Sequence, residues 1–259
     1  MNTKILSSQA LKVIDDYMHF HVGNAVSSVP YFNNKTARAR MTLRARVGKG
    51  SPKDILEELE SVIVKHHIVA DTLADESLKK LLVENNLGVD CSAFAYYVLD
   101  AENRERGQGH LNRRILFMNN FNPIGKMKCY LRPVENCDVK TFGSDNNSRV
   151  IPLKNVQPGD IITMLEGPDA SDRNHILVVH EVEYDNGIPK SVFYSHAIAY
   201  PEEGLYGNGI KQGKIEITYP DQELTKQIWT EDGSILKAQK IFSQAQASKT
   251  ELRRLKWLS

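Results

Sequence analysis

The sequence predicts an α+β protein in which helices from the N-terminal half pack on an antiparallel sheet from the C-terminal half. Two observations carry the prediction. Up to about residue 101 apolar residues recur at helical spacing behind capping residues, whereas from Asn155 onward they fall in short β-type runs separated by turn signals. A third observation joins the halves: Cys91 opens one of the helical patterns, and two histidines lie in the β-type runs.

The first helix runs from about Ser8 to Phe20, with Ala10, Val13, Ile14, Tyr17 and Met18 on one stripe. The second has Ser51 as N-cap, Pro52 at the first helical position and Asp54 in the first turn, ahead of Ile55, Leu56, Leu59, Val62 and Ile63. A third begins near Asp75, carries Leu78, Leu81 and Leu82, and stops at Asn85-Asn86 before Gly88. A fourth starts at Cys91, with Asp90 as N-cap and Phe94, Tyr97, Val98 and Ala101 on its apolar side. The β-type runs are Ile161 to Met164, Ile176 to Val182, Ser191 to Ala197 and Lys214 to Thr218. Pro158-Gly159 marks a turn into the first, and Asp185-Asn186-Gly187 a hairpin between the second and third. Residues 236–258 have a helical composition without clean periodicity.

The 259 residues, 41% hydrophobic and 25% charged, suit one globular domain spanning 1–259, with residues 33–87 as a basic, helical insertion and 200–259 as a C-terminal extension. A net charge of +1 gives no strong nucleic-acid signal, because neutralising phosphates takes an excess of Lys and Arg. Lys35, Arg38, Arg40, Arg44, Arg46, Lys49 and Lys53 nevertheless form a strip without an acid. It reads either as a site for an anionic partner at 35–53 or as a face balanced by acids elsewhere in the fold. No segment approaches the roughly 20 apolar residues of a membrane span. Ile5-Leu6 is too short for a signal-peptide core, so localisation is left at cytoplasmic as written, or exported if a leader was removed.

Three cysteines, Cys91, Cys129 and Cys137, leave at least one thiol free, and none has the Cys-x-x-Cys spacing of a zinc or redox site. Cys129 and Cys137 are either a disulfide closing a loop or two structural thiols. At a helix N-terminus, Cys91 has unpaired amides and the positive end of the dipole to favour its thiolate and to stabilise an oxyanion. A nucleophilic cysteine needs a base. His175 opens the run Ile176-Leu177-Val178-Val179, and His196 lies near the end of the next run. If Asn186-Gly187 is a two-residue turn, His196 stands opposite Leu177, on the face of His175, and the two are diagonal neighbours about 7 to 8 Å apart at Cα. His180 and Ser195 point the other way. An odd loop or an unbalanced bulge would reverse that parity. The other histidines, His19, His21, His66, His67 and His110, have no ligand spacing and read as solvated or partly buried.

Asp90-Cys91-Ser92-Ala93-Phe94, Gln157-Pro158-Gly159-Asp160-Ile161, Asn174-His175-Ile176 and Tyr194-Ser195-His196-Ala197, in that order, resemble the NlpC-type family of papain-like cysteine peptidases. The resemblance covers roughly residues 88–200. It implies a papain-like fold and a catalytic triad of Cys91 as nucleophile, His175 as base and His196 as its orienting partner. It also implies a Tyr lining the site from a Pro-Tyr pair, for which Pro30-Tyr31 is the candidate, and Asp90 and Ser92 beside the nucleophile as substrate or oxyanion contacts. Ala93 stands where the family has Gly, Asn174 stands where Gly precedes the base, and the basic insertion separates Tyr31 from Cys91. The expected activity is hydrolysis of a peptide amide, in a peptide or a bacterial peptidoglycan fragment, through a thioester and without metal or cofactor. Two rival readings are an acyltransferase or transglutaminase-like enzyme using the same Cys-His pair, and a non-catalytic binding protein using the basic strip.

Overall fold

The computed structural model describes residues 2–35, 42–118, 123–166 and 174–258. Helices α1 (Ser8–Met18), α2 (Pro52–Lys65), α3 (Asp75–Glu84), α4 (Cys91–Glu105) and α5 (Pro123–Leu131) occupy the N-terminal half. The C-terminal half supplies β4 (Ser148–Val150), β5 (Ile161–Leu165), β6 (His175–Asp185), β7 (Ile188–Ile198), β8 (Gly209–Glu216), β9 (Ile228–Glu231) and β10 (Lys249–Leu255). Helix α6 (Ile235–Ala247) stands between β9 and β10. The N-terminal half also contributes β1 (Asn2–Ile5) and a small hairpin of β2 (Phe20–Val22) and β3 (Ala25–Ser27). The protein is therefore α+β, with mainly helical residues first and an antiparallel sheet after them.

The main sheet runs in the order β4-β10-β5-β6-β7-β8-β9, all antiparallel. Strand β5 pairs with only the first residues of β6, and β1 pairs with the later ones, Glu181 to Tyr184. Side chains alternate across the strands, so each face has its own core. Ile161, Ile176, Val178 and Ala197 pack toward α1, α2, α3 and α4. Ile162, Leu177, Val179, Tyr194 and Ile215 pack with Trp229 and with Ala238, Ile241 and Ala245 of α6.

Local chemistry explains the helix boundaries. Ser7 accepts from the Ala10 N–H, Ser51 and Asp54 form a reciprocal capping box behind Pro52, and Asp90 accepts from the Ala93 N–H at 2.8 Å. Helix α3 ends where Asn86 takes φ 56°, a left-handed conformation that breaks the helical ladder. The region expected to be helical at 236–258 is helical only to Ala247. Residues 249–255 form β10, an interior strand, because its backbone is paired on both sides, by β4 and β5. Segment 200–259 thus supplies three strands of the sheet and a helix packed on it.

Between Pro30 and Cys91 the chain leaves and returns to the same place. Val89 donates to the Pro30 carbonyl and accepts from the Phe32 N–H, both at 3.1 Å, while the Asp90 N–H reaches the Gly48 carbonyl at 2.8 Å. The hydroxyls of Tyr17 and Tyr97 hold the carbonyls of Gly50 and Lys49, each at 2.8 Å. Both ends of this segment therefore brace the residues that lead into α4. Among the described residues no helix is long and apolar enough to cross a membrane.

Candidate active site

Cys91 begins α4 and is 5% exposed. Its thiol lies against the backbone on either side of His175: Sγ is 4.0 Å from the Asn174 carbonyl oxygen, and the backbone N–H groups of Ile176 and Ser92 are directed at the sulfur. Residues 91 and 175 therefore meet in one region, where α4 packs on the start of β6. No hydrogen bond among the described residues joins the thiol to the imidazole itself.

The thiol is pushed up to about 12, first by burial and then by the Asp90 charge; Lys49 and the two amides oppose this without overcoming it. The expectation that the helix start favours a thiolate is reversed in this state. Amide dipoles stabilise an anion within the first turn, but desolvation of a buried sulfur is larger. His175 is likewise held well below the usual imidazole range, by burial and then by His196. Burial thus favours the neutral form of both the thiol and the imidazole.

His175 Nε2 lies 2.7 Å from His196 Nδ1, with the rings edge to face. On its other side His196 Nε2 meets Glu231 Oε2 at 3.0 Å, and the Tyr200 hydroxyl donates to the same oxygen at 3.0 Å. Both His196 and Glu231 are closed to solvent. A carboxylate only accepts, so Glu231 fixes the proton of His196 on Nε2. His196 Nδ1 then accepts from His175 Nε2–H, which leaves the lone pair of His175 on Nδ1. Burial and the neighbouring Glu231 charge keep Tyr200 protonated far above the ordinary phenol range. The Tyr194 ring packs edge-on against His196, and Trp229 packs against Tyr194 in turn.

Beside Cys91 lies a second polar cluster. Lys49, fully buried, directs Nζ to Asp90 Oδ1 at 3.2 Å, Ser92 Oγ at 2.6 Å and the Cys137 carbonyl at 3.1 Å. Its three donors therefore have three acceptors. Ser92 in turn donates to Asp90 Oδ1 at 2.9 Å. The side chains of Asp90 and Ser92 are thus committed to the floor of the site, and it is the backbone amide of Ser92 that faces the sulfur. Ser195 bonds the imidazole of His180 at 3.0 Å, away from His175.

Tyr31 does come to the site. It forms an isolated parallel bridge with Val89, two residues before Cys91. With Asn174, His175, Tyr200, Lys240 and Gln244 it lines a cleft of about 490 Å³, while Cys91 is not on the cleft wall. Cys129 and Cys137 are both free thiols, buried like Cys91.

Sequence reasoning missed Glu231, Tyr200 and the inward placement of Lys49. Glu231 had one local signal: it shares the inward parity of Trp229 in a short β-type run ahead of Asp232-Gly233. Lys49 had none, since the strip around it looks uniformly solvated. In that strip Arg44 pairs with Glu135, Arg46 with Glu58 and Lys53 with Glu57, which are acids from elsewhere in the fold or the next turn. Arg38 and Arg40 lie outside the described residues. The remaining histidines, His19, His21, His66, His67 and His110, are exposed. Among the described residues no cluster of three or more His, Cys, Asp or Glu side chains is arranged to hold a metal.

No family model, curated protein or solved structure matches the chain.

Proposed function

We propose that the protein is a cysteine-nucleophile hydrolase of an amide bond, papain-like in its site and akin to the NlpC-type peptidases that its motifs resemble. One observation carries the proposal: a thiol at a helix start lies against the backbone that bears a histidine, and that histidine ends a buried relay, His175-His196-Glu231, which presents its Nδ1 lone pair.

In this reading Sγ of Cys91 attacks the substrate carbonyl carbon while Nδ1 of His175 takes the thiol proton. The carbonyl oxygen becomes an oxyanion within reach of amides at the start of α4. Collapse breaks the carbon–nitrogen bond, and His175 returns the proton to the leaving amine. Water, deprotonated by His175, then attacks the thioester, releasing the acid and restoring the thiol. The positive charge that His175 acquires is spread toward His196 and balanced by Glu231. Since thiol and imidazole both rest neutral, the proton moves during attack rather than before it.

Tyr31 and the cleft it lines with His175 would receive the acyl side of the substrate, a peptide or a peptidoglycan fragment. The same thioester passed to an amine would make the protein an acyltransferase. Incubating the protein and its Cys91→Ser variant with peptidoglycan fragments, with peptide libraries and with added amines, followed by mass spectrometry, tests both readings. The expected result is Cys91-dependent gain of water at one amide bond. Amine-capped products in place of acids would favour the transferase, and identical spectra for both proteins would overturn the proposal.

A further inference from the structure

We propose that α5 is an anchor that seats the protein on an anionic phospholipid surface. Helices of water-facing proteins turn their apolar side inward, and α5 does the reverse. Ile124, Met127, Tyr130 and Leu131 are 63%, 58%, 63% and 61% exposed, and the helix buries only Cys129. At about 3.6 residues per turn, Ile124, Met127 and Leu131 fall on one face with Tyr130 at its border, opposite Cys129. The stripe is thus centred on the outward direction. Lys126 and Lys128, both exposed, stand on either side of it.

The charge around the stripe selects its occupant. From Arg106 to Val134 the sequence holds no Asp or Glu; Arg106 and Arg132 at its ends pair with Glu102 and Glu135, which leaves Arg113, Arg114, Lys126 and Lys128 as its positive charges in a chain that is nearly neutral. An apolar face flanked by lysines is complementary to the boundary between acyl chains and anionic headgroups, where the side chains enter the hydrocarbon and the ammonium groups stay at phosphate level. Leu116 and Met118, exposed just before this segment, add apolar surface nearby in sequence. The inference stands apart from the hydrolase reading and holds whether or not Cys91 is catalytic.

Co-sedimentation of the full chain with vesicles of phosphatidylcholine containing phosphatidylglycerol, and with phosphatidylcholine alone, tests it. Binding is expected on the anionic vesicles at low salt and should weaken as salt is raised. Met127→Glu should abolish it, and the pair Lys126→Glu with Lys128→Glu should weaken it roughly tenfold or more. All three positions are exposed, so circular dichroism and melting temperature should stay at wild-type values. Failure of the wild type to bind anionic vesicles at low salt, or binding that Met127→Glu leaves unchanged, would overturn the proposal. A dimer in size-exclusion chromatography that Met127→Glu dissolves, without vesicle binding, would overturn it in favour of a second copy of the chain as the occupant.

Discussion

Glu231 Oε2 lies 3.0 Å from His196 Nε2, with both side chains sealed from solvent at the far end of the imidazole relay. The carboxylate orients His196, which in turn bonds His175, without lining the cleft. Glu231→Gln keeps an acceptor in place and removes the charge. Turnover should fall on the order of 100-fold with KM little changed, since the lost interaction is strongest when His175 carries a proton. The apparent pKa of the base should move down, because the protonated ring has lost its counter-charge. Glu231→Ala would instead leave the His196 N–H and the Tyr200 hydroxyl unsatisfied, at about 1–3 kcal/mol each. Steady-state kinetics across pH and thermal melts of the two variants separate these effects.

The state of the thiol can be read directly. With Cys91 pushed up to about 12, the thiolate fraction grows about tenfold per pH unit well beyond neutrality. Alkylation of Cys91 by iodoacetamide, followed by peptide mass spectrometry, should therefore be slow at pH 7 and rise without a plateau to pH 10. A plateau beginning below pH 8 would mean that a thiolate-imidazolium pair exists before substrate arrives.

Lys49 offers a test of the floor of the site. Lys49→Met removes the cation from a buried carboxylate and should destabilise the fold by about 3–5 kcal/mol in urea titrations. Adding Asp90→Asn neutralises the abandoned charge, and the double variant should be more stable than Lys49→Met alone. Additive losses would mean that the two side chains do not act as a pair.

Acid should loosen the protein through its buried imidazoles. Burial lowers His180 to about 4, and burial followed by the neighbouring His196 holds His175 well below the ordinary imidazole value. The folded state thus binds fewer protons than the unfolded one below about pH 6.5, and the stability these residues contribute is present above that pH and lost as pH falls toward 4. Melting temperature should drop across that window, and His180→Gln should flatten part of the drop. An unchanged slope in the variant would show that His180 does not titrate on unfolding.

The pairing of His175 with His196 was legible for a reason that the sequence only half contained. Asn186 and Gly187 both take positive φ, and Asp185 faces Ile188, as a two-residue turn demands. The ladder then slips twice, once with an extra residue on β7 after Pro189 and once with an extra residue on β6 at His180. The two slips lie on opposite strands and cancel, so Val178 faces Ser195 as in an uninterrupted hairpin. Either bulge alone would have turned one histidine to the other face. The helices with strong caps were equally readable, because a cap is a local interaction. Strands β1, β9 and β10 were not. Lys249 to Leu255 holds Glu251, Arg253 and Arg254, which speak against an interior strand until their partners are known. Arg253 is buried and bonds Ser148, Glu251 and the exposed Asp145, and Arg254 grips Asp160 at 2.7 and 2.9 Å. Lys49 and Glu231 were missed for the same reason: a buried charge is identified by what lies opposite it, and that is set by the tertiary fold.

The position of β10 also governs the order in which the molecule can be assembled. Its neighbours β4 and β5 are about a hundred residues earlier in the chain, and they flank a gap that only residues 249–255 fill. During synthesis these earlier strands leave the ribosome with unpaired edges and wait until β10, far along the chain, has followed. Such long-range closure is slow and exposes sticky backbone in the meantime. A newly made chain stalled before residue 249 would be a natural client for chaperones.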